Sequence, residues 1–142
     1  MDASLKGDPV PDEHHVLRHC SGTAIERTDE DLAIGVTSAA FEDDDPDGVS
    51  VTWIEWFGAS DDPERAAIDA IRATRTVRPR HRFGKFNVGL IKMAGSDAGV
   101  DLEVAHDPEP GNGGHSVIVG LKPNAHTELM ARLVIDLVAL LA

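Results

Sequence analysis

The chain has 142 residues, a formal net charge of −12 and a single cysteine. One cysteine excludes an intramolecular disulfide and a cysteine-rich zinc site, and it favours a reducing, cytoplasmic location. The sequence shows neither a signal peptide nor a membrane-spanning run. We therefore expect a single domain over residues 1–142, in which residues 1–12 form a flexible or extended arm.

The charge is unevenly distributed. Residues 1–64 hold 17 acidic and 3 basic residues, whereas residues 65–92 hold 1 acidic and 8 basic residues. The basic band Arg72–Lys85 offers arginines whose planar donors match phosphate. In an acidic protein the same arginines commonly lie beside carboxylates instead. An acidic chain repels nucleic acid, so nucleic-acid binding is expected only locally, at this band.

Three segments of the first half predict β-strands. His14–Cys20 and Leu32–Phe41 are mixed apolar and small segments bounded by turn-forming residues. Val49–Phe57, with the sequence VSVTWIEWF, is the clearest strand because it is rich in β-branched and aromatic residues. Apolar residues occupy both of its faces near its end, which indicates a central strand covered on both sides.

A helix is predicted to follow. Asp62 is placed as an N-cap, Pro63 suits the first helical position, and Glu64 favours the positive end of the helix dipole. The apolar spacing predicts a buried stripe of Ala67, Ile68, Ile71 and Thr74.

In the second half, Phe86–Met93, Gly99–His106 and His115–Leu121 alternate like strands, and a second helix is predicted from Asn124 to the terminus. The order of elements is thus βββα-βββα. This order predicts an α+β domain, a two-layer sandwich with two helices on one face of a mostly antiparallel sheet.

Two histidines bracket the loop of the last predicted hairpin. His106 and His115 enclose DPEPGNGG, in which Asn112-Gly113 is a favoured reversal. With a symmetrical register the two rings would face each other across the mouth of the hairpin. A histidine pair can hold one neutral base and one charged acid near neutral pH, which is what cleavage of a phosphodiester requires. Alternatively, each histidine lies at the end of its strand, bonds to loop backbone or water, and has no role in chemistry.

Histidines are also dense near the N-terminus. His15 and His19 would share a face of either a strand or a helix. A zinc ion, or another transition metal, could be held by a set drawn from His15, His19, His106 and His115. The spacing matches no recognised metal motif, and the glycine-rich nucleotide-binding loops and the GxSxG and HExxH motifs are missing.

Several segments, namely HHVLRHC, TSAAF, VSVTWIEWF, RHRFGKFNVG, HDPEP and GHSVIVG, together resemble a family of small uncharacterised prokaryotic proteins. The shared features are an N-terminal HxxRxC, a central WxEWF-like strand and a closing histidine pair around a proline-rich loop. The resemblance runs from about His15 to Leu121 and implies no known activity. The positions that match its motifs are His15, Arg18, Cys20, Trp53, Glu55, Arg80 or Arg82, Asn87, His106 and His115.

Three functional hypotheses follow. The first is a small enzyme acting on a nucleotide or an RNA phosphodiester, with catalytic His106 and His115 and a substrate held by Arg18, Arg80, Arg82 and Asn87. The second is a non-catalytic accessory or adaptor protein of a multi-gene system, such as a defence system. Its protein partner would bind Trp53, Trp56 or the basic band. The third is a histidine-rich metal-binding protein. Glu55 is also expected to be able to form a structural ion pair with an arginine.

Overall fold

The computed structural model describes residues 7–37, 48–121 and 130–139. These residues form, in chain order, β1 His15–Cys20, β2 Ile25–Arg27, β3 Ala33–Val36, β4 Val49–Trp53, α1 Pro63–Thr74, β5 Arg82–Asn87, α2 Val88–Asp97, β6 Glu103–His106, β7 His115–Val119 and β8 Asp136–Ala139. Short 3-10 helices lie at Gly22–Ala24 and Glu55–Phe57.

Six strands form one antiparallel sheet in the order β6-β7-β4-β1-β5-β8, and β2 and β3 pair with each other as a separate hairpin. The predicted α+β class, with a mostly antiparallel sheet and two helices, is confirmed. β4 lies inside the sheet, between β7 and β1, as its two apolar faces predicted.

The two helices cover opposite faces of this sheet. Leu17 and Phe83 pack in one apolar cluster with the buried residues of α1. Val16 and Phe86 pack in the other cluster, with the buried residues of α2. Because successive side chains on a strand point to opposite sides, α1 and α2 lie on opposite faces; the second helix of the pair predicted to share one face begins outside the described residues.

Helix α1 begins where its sequence predicts. The Asp62 side chain accepts a hydrogen bond from the Arg65 amide at 3.1 Å, and Pro63 is the first helical residue. Ala67, Ile68 and Ile71 are buried, which satisfies the predicted apolar stripe.

Helix α2 lies where the sequence predicted a strand. Phe86–Met93 was expected to be a strand, but β5 ends at Asn87 and α2 starts at Val88. The Asn87 side chain accepts a hydrogen bond from the Leu90 amide at 2.9 Å and so caps the helix. A short apolar run has the same appearance in a buried helix and in a buried strand, so periodicity did not separate them.

The predicted C-terminal helix is wrong at its end. Asp136–Ala139 forms β8 and pairs with β5, so an edge strand replaces the helix there. The predicted start at Asn124 lies outside the described residues, as does the end of the predicted strand Leu32–Phe41. The strand predicted over Val49–Phe57 stops at Trp53 and turns into a 3-10 helix.

Residues 7–10 lie extended along the outer edge of β6. The Gly7 amide donates to the His106 carbonyl at 2.6 Å, and the Val10 amide donates to the Val104 carbonyl at 2.9 Å. These bonds cover part of an edge that would otherwise expose unpaired backbone groups.

Within the three described ranges, no helix combines the length and apolar character that a membrane crossing demands.

Candidate active site

The register of the last hairpin separates its two histidines. β6 and β7 pair as predicted, but His106 lies opposite Ser116, and His115 lies opposite Thr52 on the neighbouring strand β4. Because His115 precedes Ser116 by one residue, its side chain points to the other face of the sheet. The expectation that the two rings converge is therefore wrong.

The shift arises beside the turn, where two residues, 107–108, lie opposite three, 113–115; an uninterrupted ladder from the turn would pair His106 with His115. The backbone groups of Glu109 and Asn112 bond to each other at 3.1 and 3.0 Å, so the reversal lies at Pro110-Gly111. Gly111 has φ +84°, a left-handed conformation that glycine adopts without strain. The expected reversal at Asn112-Gly113 is thus displaced by two residues.

His106 is enclosed in an aromatic cluster. Its side chain is fully buried, and its ring centroid lies 5.3 Å from that of Trp53 and 4.6 Å from that of Trp56. Nε2 donates to the Gly113 carbonyl at 2.7 Å. A carbonyl only accepts, so Nε2 carries a proton, and in the neutral ring Nδ1 does not. These contacts hold the hairpin loop against the 3-10 helix.

A polar cavity of about 350 Å³ opens on the α1 face. Strands β1 and β4 pair only at Val16–Trp53 and Leu17–Thr52, and beyond this point they no longer pair. Arg18 Nη1 donates to the Ser50 carbonyl at 2.7 Å across the gap. The cavity is lined by Leu17, Arg18, His19, Ser50, Val51, Thr52, Ile71, Thr74, Arg75, Glu109, Asn112 and His115.

His115 is the buried histidine of this cavity, with only 5% of its surface exposed. Nδ1 donates to the Asp107 carbonyl at 2.7 Å, which leaves Nε2 without a proton in the neutral ring. Nε2 is buried and has no hydrogen-bond partner among the described residues. It lies 3.9 Å from Oε2 of Glu109. In the neutral ring, an Nε2 lone pair therefore lies beside a carboxylate.

Two arginines supply positive charge to the same cavity. Arg18 reaches it from β1, and Arg75 reaches it from the residue that follows α1. Arg75 Nη1 lies 3.4 Å from Oε1 of Glu109 and donates to the Thr74 carbonyl at 3.3 Å. In this geometry an entering anion meets two guanidinium groups.

The sequence did not single out Thr52, Asn112, Arg75 and Glu109. Asn112 donates to Thr52 Oγ1 at 3.0 Å and accepts from the Gly114 amide at 3.1 Å, so its amide fixes the loop over the cavity. One signal was present, because Ser50 and Thr52 make one face of an otherwise apolar strand polar. Arg75 belongs to the basic band Arg72–Lys85, which the sequence marked only as a whole, and Glu109 carried no signal because it is far from Arg75 in the chain.

His19 connects the cavity to a second pocket. Its Nε2 lies 2.8 Å from Nδ1 of His81, and His81 lines a surface pocket of about 680 Å³ with Arg78, Pro79 and Arg80. Burial, helped by the charges of His81, Arg18 and Arg75, lowers the pKa of His19 to about 4. Burial and the Arg78 charge also lower the pKa of His81. Both rings are therefore neutral at physiological pH.

The other predicted substrate ligands lie elsewhere and make structural contacts. Arg80 forms a two-pronged ion pair with Asp31 at 2.8 and 3.0 Å. Arg82 donates to the carbonyls of Pro79 and His81, and Asn87 caps α2. Of the four predicted ligands, only Arg18 lines the cavity.

Of the four candidate metal ligands, His19 and His115 line the same cavity, whereas His15 and His106 lie elsewhere. His15 Nδ1 bonds to Glu55 at 2.7 Å, and the His15 amide donates to the other oxygen of that carboxylate at 2.7 Å. Glu55 thus pairs with a histidine rather than with the expected arginine. In the described parts of the chain, no group of three or more histidine, cysteine, aspartate or glutamate side chains is placed to hold a metal ion.

No family model, no curated protein and no solved structure matches this chain. The family resemblance drawn from the sequence stays a prediction.

Proposed function

We propose that the protein is a small histidine- and arginine-based enzyme that acts on a phosphate-containing substrate, such as a nucleotide or an RNA phosphodiester, in the cavity beside β1 and β4. One observation carries the proposal: the buried His115 keeps an unpartnered Nε2 in a cavity that two arginines also line. Fixed donors and a free base in one shielded cavity are the components of phosphoryl chemistry without a metal.

The roles follow from the contacts. The Asp107 carbonyl fixes the tautomer of His115, so Nε2 acts as the general base that takes a proton from the attacking water or hydroxyl. Glu109, at 3.9 Å, stabilises the imidazolium that results. Arg18 and Arg75 hold the phosphate oxygens and stabilise the charge that develops on them. His106 has no place in this scheme.

The cavity volume of about 350 Å³ lies at the lower end of the roughly 300–1,000 Å³ typical of small-molecule sites. It therefore favours a single nucleotide, or the end of a longer chain, as the reacting group.

The alternatives have less support. An accessory protein would use Trp53, Trp56 or the basic band, but both tryptophans pack on His106, and Arg80 and Lys85 already pair with Asp31 and Glu64. A metal-binding protein would need a ligand group that the described residues do not provide.

The single cysteine is free and buried, which supports a location in the reducing cytoplasm.

The test compares the wild type with His115→Asn against nucleoside monophosphates, p-nitrophenyl phosphate, bis-p-nitrophenyl phosphate and dinucleotide RNA. Asparagine keeps a donor for the Asp107 carbonyl but lacks Nε2. We expect turnover to fall by about 100- to 10,000-fold, the usual contribution of a general base.

The matched control is His106→Gln, which keeps a donor for the Gly113 carbonyl. We expect its turnover per folded molecule to equal that of the wild type. Equal turnover of His115→Asn and wild type, or no hydrolysis of any of these compounds, would contradict the proposal.

A further inference from the structure

The His19–His81 pair joins two pockets of the molecule. His19 lines the cavity, His81 lines the surface pocket, and their nitrogens Nε2 and Nδ1 are 2.8 Å apart. At this distance one of the two nitrogens donates a proton to the other. A hydrogen-bonded path of two titratable rings therefore leads from the cavity to the surface.

The groups that face the pair are mostly positive. Arg18 lies on the same strand, and Arg75 and Arg78 lie in the segment between α1 and β5. On β5, Arg82 is engaged by backbone carbonyls and the Phe83 ring packs 5.6 Å from that of His19. From the β6–β7 hairpin, Glu109 and His115 face the cavity. In the free protein, burial and, to a lesser extent, this surrounding positive charge lower the pKa of both rings and keep them neutral.

The net charge of the cavity can compensate one negative charge on a bound ligand but not two. Its ionised lining residues are Arg18, Arg75 and Glu109, which leaves one net positive charge when the histidines are neutral. The C-terminal end of α1 adds a partial negative charge at Thr74. A bound dianion therefore leaves negative charge uncompensated in a partly desolvated site, which is unfavourable.

We propose that the substrate is a dianion, such as a terminal phosphate monoester, and that the His19–His81 pair takes up one proton from solvent when it binds. This inference rests on the proposed function, whose anion site it uses. The second ring nitrogen of His81 binds the incoming proton, and the bridging proton moves from His81 Nδ1 to His19 Nε2. The positive charge then lies on His19, in the wall of the cavity. His19 thus becomes the acid that complements His115 and fills the role that the sequence predicted for His106.

The experiment uses inorganic sulfate, which stays a dianion across the pH range of the measurement, so that any proton taken up enters the protein. Isothermal titration calorimetry in buffers of different ionisation enthalpy counts the protons bound with sulfate. We expect uptake to approach one proton near about pH 6. The affinity should then rise by up to about tenfold for each unit of decrease in pH, as linkage requires. Nitrate, a monoanion, should bind without proton uptake.

Two variants locate the proton. In the double variant His19→Gln and His81→Asn, both rings are replaced by amides that keep a hydrogen bond but do not titrate. We expect this variant to bind sulfate with no proton uptake and with a flat pH profile. His14→Asn removes a histidine that lines neither pocket and should behave as the wild type.

Each other outcome counts against the inference. Sulfate binding without proton uptake by the wild type overturns it and leaves the anion site of the proposed function standing. Uptake that survives the double variant but is lost in His115→Asn assigns the proton to His115 and also overturns it. Failure of the wild type to bind sulfate at any pH overturns both the inference and the proposed anion site.

Discussion

His106 and His115 lie in one hairpin, yet they occupy opposite environments. His106 is fully buried under two tryptophan rings, whereas His115 ends in a polar cavity beside Glu109. Both use one ring nitrogen to donate to a backbone carbonyl at 2.7 Å, and both leave the other nitrogen unpartnered. The contrast shows that the face of the sheet, rather than the residue type or its hydrogen bond, decides whether the second ring nitrogen lies among aromatic rings or in a polar cavity.

The central strand β4 sets the two environments. On one face it presents Val51 and Trp53, and on the other face it presents Ser50 and Thr52. The aromatic face excludes water from His106, while the hydroxyl face, together with Asn112, lines the cavity. Since side chains alternate along a strand, the two chemistries are kept apart by the thickness of the sheet.

The largest effect on stability is expected from His106→Ala. This change removes a fully buried ring, its contacts with Trp53 and Trp56, and the bond to Gly113. We expect the free energy of unfolding to fall by about 3 kcal/mol, from the cavity and the unsatisfied carbonyl. Urea unfolding followed by tryptophan fluorescence measures it. His115→Ala is the matched change on the other face and should lower the free energy of unfolding by less. If the two variants unfold at the same urea concentration, the comparison of the faces fails.

A smaller loss is expected from Asn112→Ala on the cavity face. It leaves Thr52 Oγ1 and the Gly114 amide without their partner in a buried site, so we expect a loss of about 1–3 kcal/mol. A double-mutant cycle with Thr52→Val isolates the bond between the two side chains. The second change should cost less in the Asn112→Ala background than in the wild type. Purely additive losses would show that the amide does not hold the loop through Thr52.

The smallest effect is a pH dependence of stability on the cavity face. The pKa of His19 is about 4 in the folded protein and 6.5 in its ordinary state. As the pH falls below about 6.5, the unfolded chain binds a proton that the folded protein does not, so the free energy of unfolding decreases until about pH 4. His19→Gln should reduce this decrease, as measured by urea unfolding at a series of pH values. A wild-type slope in the variant would mean that other groups cause it.

The sequence predicted those elements whose signals are local. The α1 cap at Asp62-Pro63, the strand character of β1, β4, β6 and β7, and the pairing of the last hairpin were read from residues close in the chain. Predictions failed where one sequence pattern fits both a helix and a strand. The apolar run after Asn87 became a helix, and the apolar C-terminal segment became the edge strand β8.

For the candidate site, the sequence identified His115, Arg18 and His19 as chemistry-bearing residues but assigned His115 the wrong partner. The turn at Pro110-Gly111 would by itself have paired the two histidines, but one extra residue between the turn and β7 shifts the register and leaves His106 and His115 on opposite faces. Arg75 and Glu109 joined the site only because α1 and the hairpin loop meet over the gap between β1 and β4.

By itself, then, the sequence determined the fold class, the local caps and the presence of histidines and arginines able to do acid–base and anion chemistry, because these properties depend on residue type and short spacing. Only the tertiary structure decided which of these residues meet. Which residues meet depends on the strand register, on the gap where β1 and β4 stop pairing and on the packing of the end of α1. All of these are set by contacts between segments distant in the chain.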